Sequence, residues 1–221
     1  VTEPRFSRRR DDPKAVEKRE RILRAAVKVF ARKGFYASRV SEIAKAAGVA
    51  DGTIYLYFKS KDELLTSLFE DRITRLLALL RREVESLPAG APRVRRVVEY
   101  QLGLLEGERD LAEVITVNLR QSSRLLKQYA TRRFTEYLEL MAAVVAEGQR
   151  AGELREDVSP RIVARAIFGA LDGIAMTWAL GSAEPGGLKR AGSQLADVLL
   201  DGLRPRGRGS EIEVEGDRAV V

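Results

Sequence analysis

The 221-residue sequence contains no cysteine and no histidine. The first absence excludes disulfides and thiolate metal sites. The second removes the commonest metal ligand, and with it Ser-His and Cys-His catalysis. Carboxylate or lysine chemistry would still be open, but no carboxylate pair stands out. No apolar run approaches the ~20 residues of a membrane span. The N-terminus is basic but lacks the apolar stretch of a signal peptide. We therefore expect a soluble, cytoplasmic protein with no metal or cofactor and no membrane partner. Its hydrophobic share of 45% is enough for the core of one large or two small domains.

The net charge of +7 is unevenly placed. Residues 1–61 hold 16 Lys and Arg against seven Asp and Glu, and the remainder holds 23 against 25. The whole cationic excess thus lies in the first part of the chain. A nucleic-acid-binding headpiece needs that asymmetry and a soluble enzyme does not.

Within the basic part, residues 38–61 (SRVSEIAKAAGVADGTIYLYFKSK) hold two short periodic segments broken by a glycine. The first carries Val40, Ile43, Ala44 and Ala47 on one face and stops at Gly48. The second begins near Ala50 or Asp51 and runs through Tyr57, with Ile54 and Phe58 facing one way. Two helices joined by a tight turn make a helix-turn-helix, whose second helix can enter the major groove. Ala50, Asp51 and Gly52 open that second helix, where side chains reach base edges. Thr53, Tyr55 and Tyr57 offer hydroxyls to phosphate, and Lys59 and Lys61 offer point charges. Ser38 or Arg39 begins the first half, with Ser41 beside it. The plainer alternative is a small helical hairpin with a wet surface.

The rest of the chain predicts an all-α protein. Residues 1–12 read as a flexible basic arm, in which Arg8, Arg9 and Arg10 either lie on DNA or are simply solvated. Asp12 and Pro13 open a helix carrying Ile22, Ala25, Ala26, Val29 and Phe30, and Gly34 ends it. Ser60 and Glu63 form a capping box for a long helix with Leu65, Leu68, Phe69, Ile73, Leu76 and Leu80, ended by Pro88. Further helices are expected over 92–107, 109–121, Ser123 to Ala151, Pro160 to about Leu180, and Gly187 to Leu203. The helix from Pro160 is apolar on most sides, so it is buried in a core or against a partner. From Arg204 the composition reads as a disordered tail with room for a short strand over 211–215. The division is an arm (1–12), a helix-turn-helix domain (13–61), a helical domain for ligand and dimerisation (62–203) and a tail (204–221).

The run IAKAAGVADGTIYLYFKSKDELL, preceded by RILRAAVKVFARKGF, resembles the DNA-binding domain of TetR-type transcriptional regulators over residues 18–68. The resemblance implies a homodimer that sets two reading heads on a near-palindromic operator in double-stranded DNA, and a helical C-terminal domain that binds a small effector. It implies that the long helix after Ser60 transmits the effector signal. It also implies a four-helix dimer interface from the last two helices, through Ile167, Ala170, Ile174, Leu195 and Leu199. An ordinary monomer core is the alternative for these residues. Arg39 departs from the family resemblance, in which Ser or Thr usually stands at this position. A cap hydroxyl is lost and a long cation is gained, placed to contact phosphate or a guanine edge.

Two later segments, AVITVNLRQSS and ARAIFGALDGIAMTW, are similar to the FadR-type branch, the acyl-CoA-responsive regulators of fatty-acid degradation. That likeness implies a repressor released by long-chain acyl-CoA. An acyl chain needs an apolar tunnel, which Leu102, Leu105, Leu126, Phe134, Phe168, Leu171 and Trp178 could line. The phosphates of CoA need cations, which Arg120 and Arg124 could supply. Two other readings stay open. One is the same kind of repressor answering another lipophilic molecule. The other is an all-α enzyme acting on acyl-CoA, against which the missing His and Cys argue.

Overall fold

A computed structural model gives the structure and describes residues 12–118 and 132–205. All regular structure in these residues is helical. The arm over 1–11, the tail over 206–221 and the expected effector residues Arg120, Arg124 and Leu126 lie outside the described residues.

Helix α1 (Pro13–Lys33) starts as its sequence directs. The Asp12 carboxylate accepts from the Lys14 N–H at 3.1 Å, Pro13 takes the first helical position, and Gly34 ends the helix at φ 75°. Helix α2 (Val40–Ala47) closes at Gly48 in the left-handed conformation, φ 62°. Helix α3 (Asp51–Tyr55) is shorter than its periodicity suggested, and Tyr57 lies beyond its end. Phe58 still returns beneath Ile54, and both are buried with Ile22, Phe30, Ile43 and Leu64 in one core.

Helix α4 (Lys61–Glu85) begins in this head and leaves it. The Ser60 hydroxyl accepts from the Glu63 N–H at 3.1 Å. The Glu63 carboxylate reaches one residue further back than a capping box requires, to the Lys59 N–H at 2.6 Å. Its 25 residues, at about 1.5 Å each, make a rod of roughly 37 Å. Leu64, Leu65 and Leu68 belong to its head end, and Ile73, Leu77, Leu80 and Val84 are buried further along.

The second part is built from α5 (Ala91–Leu105), α6 (Arg109–Glu113), α7 (Arg132–Arg150), α8 (Pro160–Leu180) and α9 (Gly187–Leu203). The single helix expected over 109–121 is split. α6 widens into a π turn over Val114–Asn118, a local loosening that favours functional sites. α9 packs on α5 and α8, and α7 packs on α8 and α4. α6 and the π turn touch both α8 and α1, so the effector half meets the head directly as well as through α4.

Among the described residues α8 is long and apolar enough to cross a membrane, contrary to the expectation that no such run exists. Arg165 and Asp172 interrupt it, and Val163, Ala164, Ile167 and Leu171 are buried in the protein. This is a core helix with a second apolar face. Ile167, expected at a dimer interface, is only 2% exposed and is protomer core. Ala170, Ile174, Leu195 and Leu199 are half-buried, and Ile162 and Val198 on the same two helices stand open at 64% and 70% exposure.

Candidate nucleic-acid interface and effector cavity

The start of α2, α3 and the start of α4 surround one open groove. Arg39, Ser41, Asp51, Tyr55 and Lys59 line it together with Ser38, Val40, Ser60 and Lys61. Residues from three separate elements thus meet on one surface. Ala50 and Gly52 are exposed beside it, and Tyr55 is 57% exposed. A Cβ at Gly52 would meet no atom within 4 Å, so packing does not demand that glycine. Thr53 and Tyr57 are half-buried, with Tyr57 tilted against Phe58 at 6.4 Å.

Arg39 sits at the N-terminal boundary of α2 with extended backbone, φ −108° and ψ 146°. It has no hydroxyl to cap the helix. Glu42 compensates by accepting from the Arg39 N–H at 3.0 Å. Lys33 pairs with the same carboxylate. The Lys33 hydrogen bond first, and the Arg39 N–H second, hold the Glu42 carboxyl below the usual carboxylate range. Arg39 as a whole is exposed.

Two residues expected on DNA are used inside the head. Ser38 is 3% exposed, and its hydroxyl donates to the Gly34 carbonyl at 2.6 Å, which pins the α1–α2 turn. Lys61 directs its ammonium onto the carbonyls of Phe35 at 2.7 Å, Tyr36 at 3.1 Å and Ser38 at 2.9 Å. It also lies 4.6 Å from the Phe35 ring centre. Partial burial lowers its pKa from the ordinary lysine value. Three turn carbonyls converge on the ammonium and draw in a cation that would otherwise point to solvent.

The second site is an apolar cavity of about 250 Å³ enclosed by α4 to α8. Leu102, Leu105, Phe134, Phe168 and Leu171 line it as expected. Trp178 does not. Its indole points toward the α8–α9 connection, with Nε1 donating to the Glu184 carbonyl at 3.4 Å. Phe134 and Phe168 meet edge to face at 5.0 Å and 72°. One polar pair is set in the wall: the Tyr137 hydroxyl donates to Gln101 Oε1 at 2.6 Å, and Gln101 Nε2 donates to the Val97 carbonyl at 2.9 Å. Arg72, Arg75, Glu108 and Asp172 supply the charges around it.

Residues 22–68 match the family model of the bacterial regulatory proteins of the tetR family, and residues 69–196 match the C-terminal region of YsiA-like proteins. The chain belongs to the TetR family. It is 34% identical over 182 residues to the fatty acid metabolism regulator protein of Bacillus subtilis, covering 82% of this chain and 93% of that one. The crystal structure of FadR from Bacillus subtilis in complex with stearoyl-CoA is similar at 33% identity and a TM-score of 0.78, over 84% of this chain and 99% of that one. FadR from Bacillus halodurans is similar at 33% identity and a TM-score of 0.79, over 86% and 97%. TetR-family regulators bind DNA through this head.

Several residues of this TetR-family cavity were not read from sequence. Phe69, Ile73 and Leu76 of α4 line it, whereas the resemblance implied a transmitting role for their helix and no place in the cavity wall. Leu76 is half-buried while its neighbours Ile73 and Leu77 are buried, so the stripe serves two surfaces. Gln101 and Tyr137 carry no sequence signal, because their pairing joins α5 to α7. Arg72 was hidden in an ordinary run of helix-surface charge.

Proposed function

We propose that this protein is a homodimeric, cytoplasmic repressor of fatty-acid degradation genes, released from a near-palindromic operator by long-chain acyl-CoA, and that it acts by binding and not by turnover. The observation that carries this reading is the position of α4. Its first residues belong to the reading head, and its Phe69, Ile73 and Leu76 form one wall of the apolar cavity. A chain filling the cavity presses on the helix that carries the head. Such a ligand shifts the equilibrium only if it binds the splayed dimer better than the DNA-bound one.

The half-buried Arg72 stands at the cavity wall, where its guanidinium suits the CoA phosphates through bidentate hydrogen bonds. Lys59, Thr53, Tyr55 and Tyr57 fix register on the DNA backbone. Arg39, Ser41, Ala50, Asp51 and Gly52 face the bases. Lys61 and Ser38 hold the frame on which they stand. A second copy covers the open face of α8 and α9 around Ala170, Ile174, Leu195 and Leu199, with Ile162 and Val198 joining it. Leaving that face in water would cost about 25 cal/mol per Å².

The test is operator binding by the purified protein in the presence of stearoyl-CoA, stearate and CoA in separate titrations. Release by the thioester alone is expected. Release by stearate as effectively would favour a general lipophile sensor, a reading supported by the mostly apolar lining. No release and no thermal stabilisation by any of the three would refute the acyl-CoA reading. Steady production of free CoA from stearoyl-CoA would point to turnover instead.

A further inference from the structure

We propose that Arg39 is a specificity-determining residue, reading a guanine in each operator half-site through its guanidinium. The proposal rests on the DNA-binding reading above and deepens it.

Reading a base demands more of the backbone than touching a phosphate. A phosphate contact needs a cation and tolerates a mobile stem. A bidentate contact to guanine O6 and N7 is directional, so its Cα must be fixed. The segment around Arg39 is fixed at consecutive points. The Ser38 hydroxyl holds the Gly34 carbonyl at 2.6 Å, Lys61 holds the Ser38 carbonyl at 2.9 Å, and Glu42 holds the Arg39 N–H at 3.0 Å. The Glu42 carboxylate is hydrogen-bonded by Lys33 and by that N–H, and the Arg39 charge adds an electrostatic attraction to it. The side chain is exposed and opens into the groove that also holds Asp51, the first residue of the helix presented to the bases. Lys59 already supplies the groove with a cation for phosphate. What Arg39 adds is the planar fork.

The experiment is selection of bound duplexes from a randomised library by wild type, Arg39→Lys and Arg39→Ser, followed by competition at fixed salt. The lysine variant keeps the charge and loses the fork, and the serine variant loses both. The expected wild-type result is a half-site in which one guanine is preferred over adenine by about tenfold or more. Both variants flatten that preference and keep the rest of the motif. The salt dependence of Arg39→Lys stays at the wild-type slope, and all three proteins melt close together, because an exposed charge attraction adds little to stability. Retention of the wild-type motif by both variants would overturn the proposal. So would an equal loss of affinity on all sequences by Arg39→Ser with a salt slope reduced by about one, which marks a phosphate contact. A wild-type protein that enriches no sequence would defeat the DNA-binding reading itself, and is distinguishable from both.

Discussion

Arg75 of α4 donates from Nη2 to Glu20 Oε1 of α1 at 2.5 Å, while its own helix holds it through Asp71 at 3.0 Å. Arg75 also borders the effector cavity. One side chain therefore touches both the apolar cavity and the first helix of the head. The pair is too exposed to matter much for stability, since surface ion pairs contribute about 0–1 kcal/mol. Its value lies in position.

The first prediction uses Glu20, which does not line the cavity. Glu20→Gln removes the charge from the link, leaving at most a weaker neutral hydrogen bond. Operator affinity without effector should stay within about twofold, and the melting temperature should hardly move. The stearoyl-CoA concentration that halves operator binding should rise severalfold. An unchanged midpoint would show that the ion pair does not carry the signal. Arg75→Gln should match Glu20→Gln if the arginine acts only through this pair.

A second prediction fills the cavity. Ile115 lies on the π turn, half-buried and at the cavity wall. Ile115→Trp would place an indole in the space of about 250 Å³. Thermal stabilisation by stearoyl-CoA should disappear while operator binding persists. The variant should melt near wild type, since bulk enters a void and not a packed core. Stabilisation of wild-type size by stearoyl-CoA would place the acyl chain elsewhere.

Much of this molecule is legible from local signals. Asp12-Pro13, Gly34, Gly48, Ser60 and Ser159-Pro160 mark helix boundaries within a residue or two, because caps and breakers act through their immediate neighbours. The limits fall where a residue's partner is far along the chain. Lys61 reads as a phosphate contact until the turn carbonyls of residues 35–38 are seen to converge on it. Ile167 and Ile174 look alike on a helix apolar all round, and only tertiary packing separates the core residue from the half-open one. Trp178 carries the right chemistry for a lipid cavity but lies at the wrong end of α8. The π turn has no known sequence signature here, and it ended the regular helix expected over 109–121.

Tyr137 supplies a third prediction. Its hydroxyl is bonded to Gln101 Oε1 in a mostly apolar wall, and both residues are less than a tenth exposed. Tyr137→Phe keeps the ring against Phe134 and Phe168 but strands the Gln101 acceptor. An unmet buried acceptor costs about 1–3 kcal/mol. Thermal or urea unfolding should show a loss of that order. The double variant Tyr137→Phe with Gln101→Leu should recover much of it, since both polar partners are then gone. A double variant as unstable as the sum of its parts would mean that the pair is not coupled.

The last prediction separates the two lysines that flank Ser60. Lys59 is exposed in the groove and its side chain holds no internal carbonyl among the described residues. Lys59→Ala should weaken binding on every DNA sequence, lower the salt slope by about one, and leave melting unchanged. Lys61 is committed to three carbonyls and the face of Phe35. Lys61→Met keeps the length of the stem and removes the donors, which should cost about 1–2 kcal/mol after allowance for its partial exposure. For a chain of this size that is a drop of roughly 2–8 °C in Tm. DNA binding should then weaken because the turn before Arg39 loosens, with sequence discrimination falling faster than the salt slope. Melting curves and salt titrations on the two variants decide the matter. If Lys61→Met melts like wild type and loses a full unit of salt slope, its ammonium leaves the turn for phosphate when DNA binds, and its role in the head is not structural.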